Sequence, residues 1–230
     1  MESVALVISP HPDDAEIAMG GTIAALITQG VRVVVADLTD GEPTPHGSPE
    51  QRRRETESAS RILGVADRRL LSLKNREVFD TVENRNVVAG LIREVRPDLL
   101  FGPYWEDAHP DHVQAAALVE SARFYSKFVK CDLPHAPWYP RKLLHFFSTH
   151  CKVRFAPSFI FDVSSFLDVK MAALEAYESQ FVTHKGNRKR LEEIRAEAVY
   201  WGHQVGSGAG EPFVCRETVR ISTSSALFNV

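Results

Sequence analysis

Apolar residues along this chain gather in short unbroken runs, and between the runs they recur with helical spacing. Val4-Ala5-Leu6-Val7-Ile8 is a continuous apolar stretch of the kind buried on both faces of a parallel sheet. Val31 to Leu38 is a second, Val-rich strand, Arg69 to Leu73 a short third, and Leu99-Leu100-Phe101 a fourth. The segments between them read as helices. Ile17 to Leu26 is apolar, Glu50 to Leu63 starts at Ser48 or Pro49 with Gly64 just past its end, and Val82 to Val95 carries its apolar face on Val87, Val88, Leu91, Ile92 and Val95. A fourth helix runs through Ala115 to about Phe124. Alternation of strand and helix in this order predicts an α/β domain with a mostly parallel sheet, joined by right-handed crossovers and flanked by helices.

Local signals refine this outline. Gly30 is placed to cap the first helix, and Gly20-Gly21 inside it points to close packing of that helix on the sheet. Phe128 to Pro140, with Pro134, Pro137 and Pro140, reads as irregular. Strands are then expected over Lys142 to Thr149 and Phe159 to Val163, and helices over Asp168 to Phe181 and Arg188 to Tyr200. Gly206, Gly208 and Gly210 predict a flexible loop before Glu211-Pro212-Phe213, and Glu217 to Ser222 a last edge strand. No repeat or linker divides the 230 residues, so one domain over 1–230 is expected.

Composition narrows the function classes. A formal net charge of -3 implies no polyanion-binding surface, so nucleic acid is not an expected partner. Cys131, Cys151 and Cys215 form no CxxC pair and read as reduced thiols. Met1-Glu2-Ser3 lacks the basic start of a signal peptide, and no stretch approaches the ~18 apolar residues of a membrane span. The expectation is a soluble cytoplasmic protein without a membrane partner.

Chemistry concentrates in two places. Ser9-Pro10-His11-Pro12-Asp13-Asp14-Ala15-Glu16 follows the first strand, and His109-Pro110-Asp111-His112 follows the fourth. Both fall at the carboxyl edge of the sheet, where ligands bind in open α/β folds. His11 and Asp14 at a strand-to-helix turn, joined by His112, make a two-imidazole, one-carboxylate set with a position left for water, the pattern of a catalytic zinc site. Fe2+ suits the same donors. Asp13 is then the candidate general base. His109 is the candidate group to stabilise an oxyanion as an imidazolium or to protonate a leaving amine, with Asp111 bonding it and setting its charge. Glu16 is expected to support the loop or a ligand from behind. Arg52, Arg53 and Arg54 oppose the dipole of their helix. They either pair with Glu50, Glu55 and Glu57 or bind an anionic or hydroxyl part of a substrate, with Arg53 the candidate. His46, His135, His145, His150, His184 and His203 have no partner at ligand spacing and read as structural or surface residues, His46 being the first exception to consider. Against the metal reading stands a non-catalytic Rossmann-like binding module whose acids only cap helices. No G-x-G-x-x-G follows the first strand, which counts against a dinucleotide.

Pro10 to Glu16 together with His109 to His112 resembles the PIG-L/LmbE family of zinc-dependent de-N-acetylases. Thr39-Asp40-Gly41-Glu42, Ile62-Leu63-Gly64-Val65, Pro157-Ser158-Phe159-Ile160, Tyr177 to Phe181 and Gly210-Glu211-Pro212-Phe213 are similar to its bacillithiol-pathway branch, which removes acetyl from N-acetylglucosaminyl malate. The resemblance implies a Rossmann-like fold, zinc on His11, Asp14 and His112, Asp13 as base, and His109 supported by Asp111. It also implies an amino-sugar substrate and a homo-oligomer, often a hexamer in that branch. The chain departs from that branch at Tyr139, where relatives often have Arg, and at Ala209, where many have an aromatic residue. Both are places where the acyl or sugar moiety is expected to be contacted. Deacetylation of chitooligosaccharides or another N-acetyl amino sugar is the alternative.

Overall fold

The computed structural model describes residues 2–71, 73–148, 150, 154–183 and 185–218. β1 (Val4–Ser9) turns Ala5 and Val7 into one core and Leu6 and Ile8 into another, all fully buried. A strand covered on both faces has no reason to alternate, which is why the run is uniformly apolar. The chain continues through α1 (Asp14–Thr28), β2 (Arg32–Asp37), α2 (Pro49–Leu63), β3 (Asp67–Leu70), α3 (Val82–Val95), β4 (Leu99–Pro103), α4 (Pro110–Tyr125), β5 (Lys142–Phe146), β6 (Phe159–Asp162), α5 (Leu167–Glu175), α6 (Lys185–Gln204) and β7 (Gly210–Val214). Ser48 caps α2 by accepting from the Gln51 amide, and Gly64 ends it with φ +81°.

The seven strands form one sheet in the order β3-β2-β1-β4-β5-β7-β6. β3, β2, β1, β4 and β5 are parallel, and β7 runs antiparallel between β5 and β6. α1, α2, α5 and α6 cover one face, α3 and α4 the other. The order reverses between β1 and β4. The chain leaves β1 for one face and β4 for the opposite face, opening a crevice at their carboxyl ends.

Several expectations are corrected. Gly206 and Gly208 do lie in a turn and bend after α6, but the loop stops short of Gly210, which already begins β7, and Pro212 pairs with Ile160 inside the sheet. The expected helix over Asp168–Phe181 stops at Glu175, and Glu178–Val182 forms a separate π-helical turn. Tertiary bonds overrule helical periodicity here. The Tyr177 hydroxyl donates to Glu16 at 3.1 Å, and the Ser179 amide and hydroxyl donate to Glu55 at 2.8 and 2.7 Å. β5 ends at Phe146, earlier than expected, and Thr149 lies outside the described residues. Glu217 is in a bend rather than a strand, and 219–222 also lie outside them, as do Cys151 and His184. Cys131 and Cys215 are free thiols.

Gly20-Gly21 packs against α5 and the turn before it, and Gly21 also reaches β7 of the sheet through its amide. A Cβ on Gly20 would stand 3.2 Å from the Lys170 side chain, and one on Gly21 only 2.8 Å from that of Val163. α1 is also broken at Met19, with φ -146°. The amides of Gly21 and Thr22 donate to the Glu211 carboxylate at 3.0 and 2.7 Å, so Glu211 caps the second half of the helix. Lys170 closes the arrangement at 2.6 Å from Glu211, with both side chains almost fully buried. Breaking one partner of such a pair strands a charge in the interior. We expect Lys170→Met to lower the unfolding free energy by about 3–5 kcal/mol in urea titrations, with Lys170→Met/Glu211→Gln recovering part of it.

His145 gives the fold a pH dependence. Burial, with Arg216 and Arg123 nearby, pushes its imidazole down to about 4, although Pro103 O lies 2.8 Å from Nδ1. Glu120 stands 3.4 Å from Nε2, but burial raises its own carboxyl and weakens its pull on the ring. The unfolded chain binds this proton near pH 6.5 and the folded chain only near pH 4. Stability is therefore full above pH ~6.5 and falls as pH drops toward 4, by roughly 3 kcal/mol for a shift of this size. Denaturation midpoints of His145→Gln across that window should show a flatter slope than the parent.

Candidate active site

The two sequence clusters meet at the β1/β4 crevice. His11 lies in the turn after β1, and Asp14 opens α1. His109 is the N-cap of α4, and His112 sits in its first turn. Asp14 Oδ2 stands 3.0 Å from His11 Nδ1 and 3.2 Å from His112 Nε2, so both rings aim at one carboxylate oxygen. Burial alone would disfavour charge on all three. The ion pairs overcome it: His112 is raised to about 10, His11 is raised, and the Asp14 carboxyl is held well below the usual range.

One donor atom from each of His11, Asp14 and His112 lies within 4.8 Å of the others, and so do those of His11, His109 and Asp111. The first set has the stronger fit to a divalent ion. His112 Nδ1 is 3.0 Å from the Asp107 carboxylate and 2.7 Å from the Ser148 hydroxyl, and Ser148 also donates to Asp107 at 2.6 Å. A carboxylate behind the far nitrogen of a histidine fixes its tautomer and aims the near nitrogen, the usual backing for a metal-ligating imidazole.

Asp13 has φ +96°, in the left-handed region that costs a non-glycine residue of order 1–3 kcal/mol. Arg52 holds it there. Its Nη2 donates to Pro12 O at 2.7 Å and to the Asp13 carboxylate at 3.0 Å. Burial pushes the Asp13 carboxyl up to about 7 against the pull of Arg52. Arg52 is itself buried and packs over the Tyr177 ring at 5.4 Å. Its Nε and Nη1 are buried without a hydrogen-bond partner among the described residues. Arg52 and Arg53 both line a groove of about 760 Å³ beside α2, but Arg53 is exposed and Arg52 is the one that reaches Asp13.

Glu16 is fully buried and accepts from Arg68 and the Tyr177 hydroxyl, while Arg68 also grips Asp37 at 2.7 and 3.0 Å. Asp111 departs from its expected partner. Its carboxylate accepts from the Arg76 amide at 2.7 Å and lies 3.2 Å from His11 Nε2, while only its backbone amide reaches His109, donating to Nδ1 at 3.2 Å. A His109 ring that accepts at Nδ1 carries its proton on Nε2, and burial beside His112 and His11 lowers its pKa.

Three neighbours went unnoticed in the sequence. Asp107 had a signal, a carboxylate two residues ahead of His109. Ser148 had none, since only the pairing of β5 with β4 brings it to His112. His150, read as a structural or surface residue, places its ring 5.7 and 5.8 Å from those of His109 and His112. Of the two departures, Ala209 is buried just before β7. Tyr139 lies under Arg123 at 4.5 Å, near the end of α4 and away from the crevice.

Comparison with known proteins identifies the family. Residues 6–123 match the family model described as GlcNAc-PI de-N-acetylase. The chain is 34% identical over 194 residues to the diacetylchitobiose deacetylase of Thermococcus kodakarensis, covering 76% of this chain and 69% of that one. It is 29% identical over 210 residues to a probable N-acetyl-alpha-D-glucosaminyl L-malate deacetylase 2 of Bacillus anthracis, covering 85% and 90%. The crystal structure of the conserved protein TT1542 from Thermus thermophilus superposes with a TM-score of 0.89 at 36% identity, covering 97% of this chain and 99% of that one. With its histidines and carboxylates gathered at the switch point of this sheet, the chain belongs to the PIG-L family of de-N-acetylases.

Proposed function

We propose that the protein hydrolyses the acetamide of an N-acetylglucosamine-containing substrate, with a divalent ion on His11, Asp14 and His112. One observation carries the reading: a strained, Arg52-held Asp13 stands beside a His-Asp-His group whose second histidine is backed by Asp107. The names of the relatives, deacetylases of diacetylchitobiose and of glucosaminyl malate conjugates, support the same substrate class. The ion supplies Lewis acidity and lowers the pKa of water to about 7. Zinc is our assignment, with Fe2+ suited to the same donors. A homo-oligomeric, cytoplasmic protein is part of the reading and rests on the family resemblance and on the free thiols.

The residues divide the work. Asp13 takes a proton from the attacking water as its oxygen bonds to the acetyl carbon. His109, with its proton on Nε2, donates to the oxygen that gains charge. The C–N bond breaks as the proton held by Asp13 passes to the nitrogen, leaving acetate and a free amine. Asp111 and the Arg76 amide keep His11 in place. Arg52 fixes the Asp13 carboxylate, and Arg53, exposed beside it in the same groove, is assigned to a substrate hydroxyl or anion.

Asp13→Asn should lower acetate release from N-acetylglucosamine compounds by about 10²–10⁴-fold at unchanged metal content, measured by metal analysis alongside the assay. Equal turnover would remove Asp13 from the mechanism. Asp107→Asn should bind the metal about 10–100-fold more weakly, read by competition with a chelator. The purified parent protein should carry one divalent ion per chain, and chelation should abolish acetate release until the ion is restored.

A further inference from the structure

Among the described residues other than glycine, Asp13, Arg76, Arg96 and His135 have positive φ. Arg96 caps the end of α3, where that conformation is ordinary. Arg76 has no helix end to account for it. It stands third in the turn Lys74-Asn75-Arg76-Glu77, which the Glu77 amide closes by donating to Lys74 O at 3.1 Å, and its φ is +66°. A positive φ at that place in a turn is the property that selects glycine, yet the chain has an exposed arginine there.

Two contacts account for the arginine. Its turned amide donates to Asp111 Oδ2 at 2.7 Å, and the same oxygen lies 3.2 Å from His11 Nε2. His11 presents its other nitrogen to Asp14, so Asp111 backs His11 as Asp107 backs His112. The guanidinium meanwhile reaches the loop after β2, with Nη2 donating to Pro43 O at 2.9 Å. That loop is seated elsewhere against the site. A Cβ on Gly41 would stand 3.3 Å from Pro12 and 3.5 Å from Arg52 Nη2, the nitrogen that holds Asp13. The His46 carbonyl accepts from Gln180 Nε2 at 3.1 Å, and a Cβ on Gly47 would stand 3.1 Å from the Ser179 side chain.

We propose that Arg76 is a positioning residue for the metal group: its side chain, anchored on Pro43, holds the strained turn that aims its amide at Asp111 and so fixes His11. The inference rests on the reading of His11, Asp14 and His112 as ligands. Arg76 acts on the ion without touching it, through one backbone amide and one carboxylate. The seat of the loop after β2 and the hold on the ion are therefore linked. Release of Pro43 frees the turn to relax, and the amide leaves Asp111 as it does.

Two substitutions separate the side chain from the backbone. Arg76→Ala removes the anchor and leaves a residue for which the left-handed turn is still costly, so the turn relaxes. Arg76→Gly removes the same anchor but carries no such cost, so the amide stays on Asp111. Zn2+ affinity of the purified protein is read by competition with a chelator. Arg76→Ala should bind Zn2+ about tenfold more weakly than the parent, and Arg76→Gly within about twofold of it. A general loss of stability would move both variants together, and melting temperatures recorded alongside check for it. Parent-like affinity in Arg76→Ala, or an equal loss in both variants, overturns the proposal. Deuterium exchange at the residue-76 amide, followed by NMR without added ion, is a readout independent of the metal. Protection kept in the parent and in Arg76→Gly and lost in Arg76→Ala supports the proposal, and equal protection in all three overturns it. Should the parent bind no Zn2+ while this exchange pattern is found, the hold of Arg76 on Asp111 stands and the metal reading falls.

Discussion

The site depends on a single oxygen, Oδ2 of Asp14, which faces His11 from one crossover and His112 from another. Nothing local could bring these rings together. His11 leaves the sheet toward one layer of helices and His112 opens a helix of the opposite layer, and they converge only because the strand order reverses between β1 and β4. Buried opposite charges attract strongly in low dielectric, yet each costs desolvation, so such a group persists only where every member is matched. Here the matching extends outward: Asp107 and Ser148 behind His112, and Asp111 and the Arg76 amide behind His11.

The same rule governs the ground beneath the site. Glu16, Arg68 and Asp37, with the Tyr177 hydroxyl, form a buried network that ties β2, β3 and α1 to the turn after α5. Arg52 adds the next link, between Tyr177 and Asp13. Asp13 can therefore be held in a backbone conformation it would not adopt alone, with its carboxylate fixed from α2. A positive cluster in the first turn of a helix looks unfavourable from the sequence. It is explained once one of its members, Arg52, is seen buried against an acid from another element.

Two levels of function separate in this molecule. In the proposed reading the His11-Asp14-His112 group and Asp13 act on the acetamide, which is common to every substrate of this class. Discrimination between attached groups would then fall to the walls around them. Lys170 and Glu211, their charges matched, cap the broken α1 near the site.

By itself the sequence determined β1, β2, β4, the first four helices, several caps and both chemical clusters, because continuous apolar runs, helical spacing and Gly or Ser at element ends are local consequences of burial and backbone geometry; β3, expected over Arg69 to Leu73, lies earlier at Asp67–Leu70, where its pairing with β2 places it. α3 over Val82–Val95 coincides with its expected bounds for that reason. Only the tertiary structure decided what depends on contacts between distant segments. It ended α5 before Tyr177, put Pro212 inside a sheet, chose Arg52 over Arg53 to hold Asp13, moved the Asp111 carboxylate from His109 to His11, and brought Ser148 and His150 to the cluster. Each outcome turns on which buried polar atom finds a partner across the fold, and periodicity along a chain carries no record of that.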